Sequence, residues 1–74
     1  MVTEQQIIEI EQNAVGIAEG FKDTPEGVDE TEGLRVAWQH LIDTGMCWRL
    51  QGWFGRTAMS LIAQKFVLPY PRKR

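Results

Sequence analysis

Three side chains with catalytic chemistry lie within eight residues of one another, near the middle of the chain: His40, Asp43 and Cys47. A thiol nucleophile, an imidazole base and a carboxylate that orients the base form the set used in nucleophilic catalysis. However, His40 and Asp43 have the spacing of a pair on a helix surface, and Cys47 between Met46 and Trp48 is typical of a small buried thiol. A domain with a single core also offers no evident cleft that would exclude water. We therefore predict that the chain is not an enzyme.

The sequence contains no recognisable ligand set for a metal ion or a nucleotide. One histidine and one cysteine supply two of the four ligands that a structural zinc ion needs. Neither the Gly-Lys-Ser/Thr phosphate loop nor the GxGxxG dinucleotide motif occurs. We expect no cofactor.

The size and composition are typical of one small soluble domain. The chain has 74 residues, of which 43% are hydrophobic and 24% are charged, and a chain of this length builds a single modest core. Its one cysteine cannot form an internal disulfide. No apolar run approaches the roughly 18 residues of a membrane span, and the first residues lack the basic start of a signal peptide. We expect a cytoplasmic protein with no membrane association.

Charge is divided unevenly along the chain. Residues 1–33 contain nine acidic side chains and one lysine, whereas residues 34–74 contain seven basic side chains and one aspartate. Either the two halves attract each other on folding, or one face binds a charged partner. We favour the first interpretation for most of these charges. The terminal Arg72, Lys73 and Arg74 are the exception, because a tail has no folded neighbour that would neutralise it.

Periodic apolar residues predict an all-α fold, a small domain of three helices near residues 5–19, 32–43 and 53–65. The second helix is the clearest, since its apolar positions follow the helical template without a gap. The core is expected to contain the following residues: Ile10, Ile17, Leu34, Trp38, Leu41, Phe54, Ala58, Leu61 and Ile62.

Capping residues mark the ends of these helices. Thr3 and Gln6 fit a capping box before the first helix, and Gly20 is suited to end it. Either Asp29 or Thr31 can cap the second helix.

The chain is interpreted as a single domain, residues 1–74, in four segments. These are an acidic first helix (1–21), an acidic linker (22–31), a two-helix core (32–66) and an extended tail rich in proline and basic residues (67–74). In residues 46–51, large apolar side chains (Met46, Trp48 and Leu50) alternate with Cys47, Arg49 and Gln51, which is the pattern of a short strand. No second strand is visible to pair with it, so a helical turn is expected there.

A partner-binding surface is predicted around the start of the third helix, at Arg49, Trp53 and Arg56. Arginine and tryptophan are common at binding hot spots, and the helix dipole disfavours a cation at Arg56. The alternative is that Arg56 pairs with Asp43 or with the last carbonyls of the second helix. Of Trp48 and Trp53, at least one is expected to be partly exposed. An auxiliary basic arm is predicted in the tail: Arg72, Lys73 and Arg74.

Three short stretches follow one another in residues 37–62: Leu-Ile-Asp-Thr-Gly (41–45), Trp-Arg-Leu-Gln-Gly (48–52) and Trp-Phe-Gly-Arg-Thr-Ala (53–58). In these stretches the chain resembles a family of small uncharacterised proteins encoded by bacteriophages. The resemblance covers about a third of the chain and carries no established activity, so no residue roles follow from it. It implies a phage setting and a small factor that acts in the host cytosol.

These observations favour a phage accessory protein that binds a host protein without catalysis, as a modulator or inhibitor of defence or transcription. The alternative is a nucleic-acid-binding module, in which the second and third helices imitate a helix-turn-helix and the basic residues contact phosphates. The acidic pI of 5.2 argues against that alternative. We also expect a homodimer formed through the first helix, because a core of this size supplies little stability.

Overall fold

Helices form all the regular secondary structure in residues 2–69, the part of the chain that the computed structural model describes. Four α-helices occur in order, with one 3₁₀ turn: α1 (Glu4–Gln12), α2 (Ala14–Glu19), α3 (Glu30–Asp43), the 3₁₀ turn (Met46–Trp48) and α4 (Gly52–Ala63). Helix α3 is central, because α1, α2 and the 3₁₀ turn all pack against it. The all-α prediction is confirmed, and a helical turn forms where the alternation resembled a strand.

The helix predicted over residues 5–19 is wrong as a single element, because Asn13 divides it into α1 and α2. The Asn13 side-chain amide donates to the carbonyl of Glu9 at 2.9 Å, and its backbone N–H donates to the carbonyl of Ile10 at 3.1 Å. Asparagine side chains compete in this way for backbone partners that a continuous helix would use. The apolar stripe survives the interruption, since Ile10 and Ile17 are both buried. The described fold therefore has four helices, not three.

The helix ends follow the capping signals. Thr3 and Gln6 form the expected capping box, and Gly20 ends α2 with a φ of +82°. Of the two candidates before α3, Asp29 is the cap, and its carboxylate accepts two backbone N–H groups of the first turn at 3.1 and 3.3 Å. Helix α4 ends without a glycine. Lys65, just after the helix, adopts the left-handed conformation with a φ of +62°.

The core lies where α1, α2 and α4 meet α3 and the 3₁₀ turn. Three predicted members, Leu34, Leu61 and Ile62, are only partly buried and pack at its edge. The other six predictions are confirmed, and five further residues belong to the core. The buried hydrophobic residues are Ile10, Ala14, Ile17, Ala37, Trp38, Leu41, Ile42, Cys47, Phe54, Ala58 and Val67.

The segment after α4 packs back on α3. Gln39 is buried, its side-chain oxygen accepts the backbone N–H of Leu68 at 2.8 Å, and its Nε2 donates to the Leu68 carbonyl at 3.2 Å. Val67 is buried in the core, and Arg35 Nε donates to the carbonyl of Phe66 at 3.2 Å. The first residues of the segment predicted as an extended tail, 67 and 68, therefore pack on α3, and residues 70–74 lie outside the described part of the chain.

Replacing Gln39 by alanine is expected to lower the free energy of unfolding by about 1–3 kcal/mol. The change leaves the N–H and carbonyl of Leu68 without their partner and removes the amide that donates to Asp43 at 2.8 Å. Thermal unfolding followed by circular dichroism measures the loss, with Gln5→Ala on the exposed face of α1 as the control. Equal melting temperatures for the two variants would show that Gln39 does not hold the segment after α4.

Candidate functional site

The three residues with catalytic chemistry do not form one site. Cys47 is fully buried, and desolvation raises the pKa of its thiol, with a smaller opposing contribution from a backbone hydrogen bond. His40 Nδ1 lies 3.6 Å from Oε2 of Glu11 on α1, and Asp43 Oδ1 accepts from Gln39 at 2.8 Å. The interpretation of Cys47 as a small core thiol is confirmed. His40 and Asp43 each contact a different neighbour, and neither of those contacts involves the thiol.

The described residues also offer no collection of metal ligands. Within residues 2–69, no three histidine, cysteine, aspartate or glutamate side chains come close enough together to hold an ion. Over the same range, no helix combines the length and the apolar character needed to cross a bilayer.

The structure separates the two tryptophans near α4. Trp53 is half-buried, stacks on Phe54 with ring centroids 4.1 Å apart, and meets the edge of Trp38 at 6.3 Å. Trp48 lies at the end of the 3₁₀ turn and is 48% exposed. The expectation that at least one of Trp48 and Trp53 is partly exposed is confirmed. Of the two, Trp48 has the more exposed side chain, whereas the residue predicted for the binding surface is Trp53.

Trp48 lies against α4 at a position where the helix has no side chain. A Cβ on Gly55 would lie 3.5 Å from a ring carbon of Trp48, so the indole rests directly on the helix backbone. Met59 follows one turn later and is 64% exposed. The two side chains place apolar surface on the solvent-facing side of α4.

Two arginines flank this apolar surface. Arg49 donates to the carbonyl of Thr44 at the end of α3, at a long 3.4 Å. Contact with the last carbonyls of this helix was the alternative prediction for Arg56, and Arg49 makes it instead. Arg56 is exposed, and its guanidinium extends back toward the start of α4, where it would be 3.2 Å from a Cβ on Gly52. Arg56 has no hydrogen bond or ion pair with any other residue between 2 and 69.

We call the surface formed by Trp48, Arg49, Arg56 and Met59 the basic–aromatic surface. The sequence identified its two arginines and missed Trp48 and Met59. The signal for Met59 was its position off the apolar stripe of α4, since a large apolar residue outside that stripe must face solvent. The predicted basic arm, Arg72, Lys73 and Arg74, lies outside the described residues.

Few of the opposite charges meet. Among residues 2–69, Arg35 forms an ion pair with Glu32 at 3.1 Å, and His40 lies 3.6 Å from Glu11, a contact that is ionic only when the imidazole is protonated. Few close ion pairs therefore support the interpretation that the acidic and basic halves attract each other on folding. Within residues 2–69, Arg49 and Arg56 of the basic–aromatic surface form no ion pair with an acidic side chain.

The arrangement of α3 and α4 differs from a helix-turn-helix. Residues 44–51, including the 3₁₀ turn, separate the two helices, and α4 packs mainly on that turn. A helix-turn-helix joins its helices by a turn of three or four residues, so the tight geometry considered from the sequence is absent from the described fold.

Comparisons with known proteins place the chain in a family. No curated protein and no solved structure matches it significantly. A family model described as a domain of unknown function, DUF7417, matches residues 26–71, a range that contains α3, the 3₁₀ turn, α4 and the whole basic–aromatic surface. Because the match covers more than half of the sequence, the chain belongs to the DUF7417 family.

Proposed function

We propose that this protein is a small binding module without catalytic activity, and that it docks on a host protein through the basic–aromatic surface. The resemblance to small phage-encoded proteins suggests the setting, a factor that modulates or inhibits a protein in the host cytosol. The separate partners of His40, Asp43 and Cys47 favour binding over chemistry.

The observation that carries the proposal is the exposure of Trp48, which lies over Gly55, and of Met59 one turn further along α4. An indole that is 48% exposed and a methionine that is 64% exposed contribute little to the core, so fold stability does not explain both. Tryptophan is among the side chains most often found at binding hot spots, and methionine adapts its shape to a partner. Burial of both against a second protein would remove this apolar surface from water.

The charges of the surface indicate the chemistry of the partner. Arg49 and Arg56 both project from the exposed side, and neither pairs with an acidic side chain within residues 2–69. Arginine suits interfaces because its planar guanidinium binds carboxylates in a bidentate manner. The fitting partner is a protein that presents an apolar pocket bordered by aspartate or glutamate.

Trp53 has a supporting role in this proposal. Its stacking on Phe54 and its edge contact with Trp38 hold the start of α4, the helix against which Trp48 lies. Arg72, Lys73 and Arg74 are retained as an auxiliary basic arm.

Affinity capture from infected host cells, compared across variants, tests the proposal. Trp48→Ala and Arg56→Ala should each lower capture of the same partner by about tenfold or more while the melting temperature changes little. Ile8→Ala is the matched control, because Ile8 is a partly exposed apolar residue on α1 (41%) and should leave capture unchanged. Capture that is equal for the wild type and both variants would refute the proposed surface.

The nucleic-acid alternative is tested with the same variants and a labelled DNA duplex. We expect no binding at physiological salt, because the chain has ten acidic and eight lysine or arginine side chains and a net charge of −2. Binding that weakens in Arg56→Ala and falls steeply with salt would favour the alternative.

A further inference from the structure

An open apolar groove runs between α4 and the pair formed by α2 and α3. Its volume is about 420 Å³. The floor includes Trp38 and Trp53, and the walls include residues from α2, α3, α4 and the segment after it: Ala18, Leu34, Leu61 and Phe66. This groove explains why Leu34 and Leu61, both expected in the core, are only partly buried.

Among residues 2–69, the most exposed large apolar side chain follows closely after α2, one of the helices that line this groove. Phe21 is 86% exposed and follows Gly20, whose left-handed conformation ends α2. Ala18, three residues before Phe21, already lines the groove. Phe21 is thus an exposed aromatic residue close in the chain to an apolar groove that no side chain of residues 2–69 fills.

The charges around the ring and around the groove are complementary. Glu19 and Asp23 lie close to Phe21 in the chain and outnumber its neighbour Lys22, and all three are exposed. On the groove side, exposed Lys65 directly precedes Phe66, and the Arg35 guanidinium lies over the Phe66 ring, 4.8 Å from its centroid, while it pairs with Glu32 at 3.1 Å. The surroundings of Phe21 therefore carry a net negative charge, and Lys65 is a cation of the groove rim that pairs with no acidic side chain of residues 2–69.

We propose that the occupant of this groove is Phe21 of a second copy of the chain. Because each copy carries both the ring and the groove on adjoining surfaces, a two-fold axis allows two identical insertions, which is the geometry of an isologous dimer. This interface uses none of the residues of the basic–aromatic surface. The alternative interface is the first-helix dimer expected from the sequence, on which Ile8 of α1 is 41% exposed.

Sedimentation velocity of the purified full chain, from about 10 to 500 µM, tests the dimer without any host partner. The wild type should dimerise in this range, and Phe21→Ser should raise the dissociation constant by more than about tenfold. Phe21→Ser should remain folded by circular dichroism, because the ring is exposed in the monomer. Met59→Ser, a change of an exposed apolar residue on the basic–aromatic surface, should leave the dissociation constant unchanged.

Two outcomes would overturn the proposal. A wild type that stays monomeric throughout the range would mean that a different segment or partner covers the groove. Dissociation by Ile8→Ser with no effect of Phe21→Ser would assign the interface to α1.

A charge exchange tests the pairing of the two surfaces. Lys65→Glu should weaken the dimer at low salt because it places a carboxylate opposite Glu19 and Asp23 of the other copy. Adding Asp23→Lys should restore most of the lost affinity. A double variant that is weaker than both single variants would contradict the proposed arrangement.

Discussion

Replacement of Trp38 by alanine is expected to unfold the protein at 25 °C. Trp38 is buried, and its ring contacts Phe54 at a centroid distance of 5.9 Å and Trp53 at 6.3 Å. Loss of a buried tryptophan costs about 3–5 kcal/mol, which is as large as the total stability that a core of this size usually provides, about 3–5 kcal/mol. Circular dichroism should show that the helical signal is lost.

Trp48→Ala is the matched control, because it removes the same side chain from a position that is 48% exposed. It should stay folded, with a loss of about 1 kcal/mol or less. If the two variants lost equal stability, the assignment of Trp38 to the core and Trp48 to the surface would be wrong.

Replacement of Gly33 by alanine is expected to destabilise the protein, although alanine is the better helix former. Gly33 is buried in α3, and a Cβ there would overlap the methyl group of Thr24 and lie 2.9 Å from its Cβ. Thr24 is held in place, since its hydroxyl donates to the carbonyl of Val28 at 3.3 Å. Overpacking of this kind costs about 1–3 kcal/mol, more than the roughly 1 kcal/mol that alanine gains over glycine in a helix.

Gly55→Ala provides the comparison for this prediction. Its Cβ would meet the ring of Trp48 at 3.5 Å, an ordinary contact, so the gain in helix propensity should dominate. Chemical denaturation should therefore give opposite signs for the two substitutions. A Gly33→Ala variant as stable as the wild type would show that the connection between α2 and α3 does not pack tightly at Thr24.

Features that depend on neighbours in sequence were predictable. The capping box at Thr3, the left-handed Gly20 and the cap of α3 at Asp29 each involve residues within one turn of one another. The spacing of the apolar residues also predicted the first and last residues of α3 and α4 to within about two positions, which is the ordinary uncertainty of helix ends.

Two kinds of feature were not predictable: those that depend on competition between side chain and backbone for hydrogen-bond partners, and those that depend on contacts between residues far apart in the sequence. Asn13 occupies a position where the apolar period continues, and only its hydrogen bond to Glu9 shows that the helix is interrupted. Gln39 and Leu68 are 29 residues apart, so nothing in the local sequence indicates that they pair.

The candidate site illustrates the same limit. Trp48 and Trp53 have similar sequence surroundings, and their burial differs because Trp53 reaches Trp38 on another helix whereas Trp48 lies over Gly55. The sequence therefore indicated the region and its arginines, and the fold was needed to choose the exposed ring.

The proposed docking through the basic–aromatic surface is tested most directly by the indole N–H signals of the three tryptophans in a ¹⁵N-labelled sample. The captured host protein is added, and the shift of each indole signal is followed by NMR. We predict that the Trp48 signal moves or broadens most, while that of buried Trp38 stays close to its free position. An unchanged Trp48 signal under saturating partner, with shifts confined to α1 or to the groove, would contradict the account.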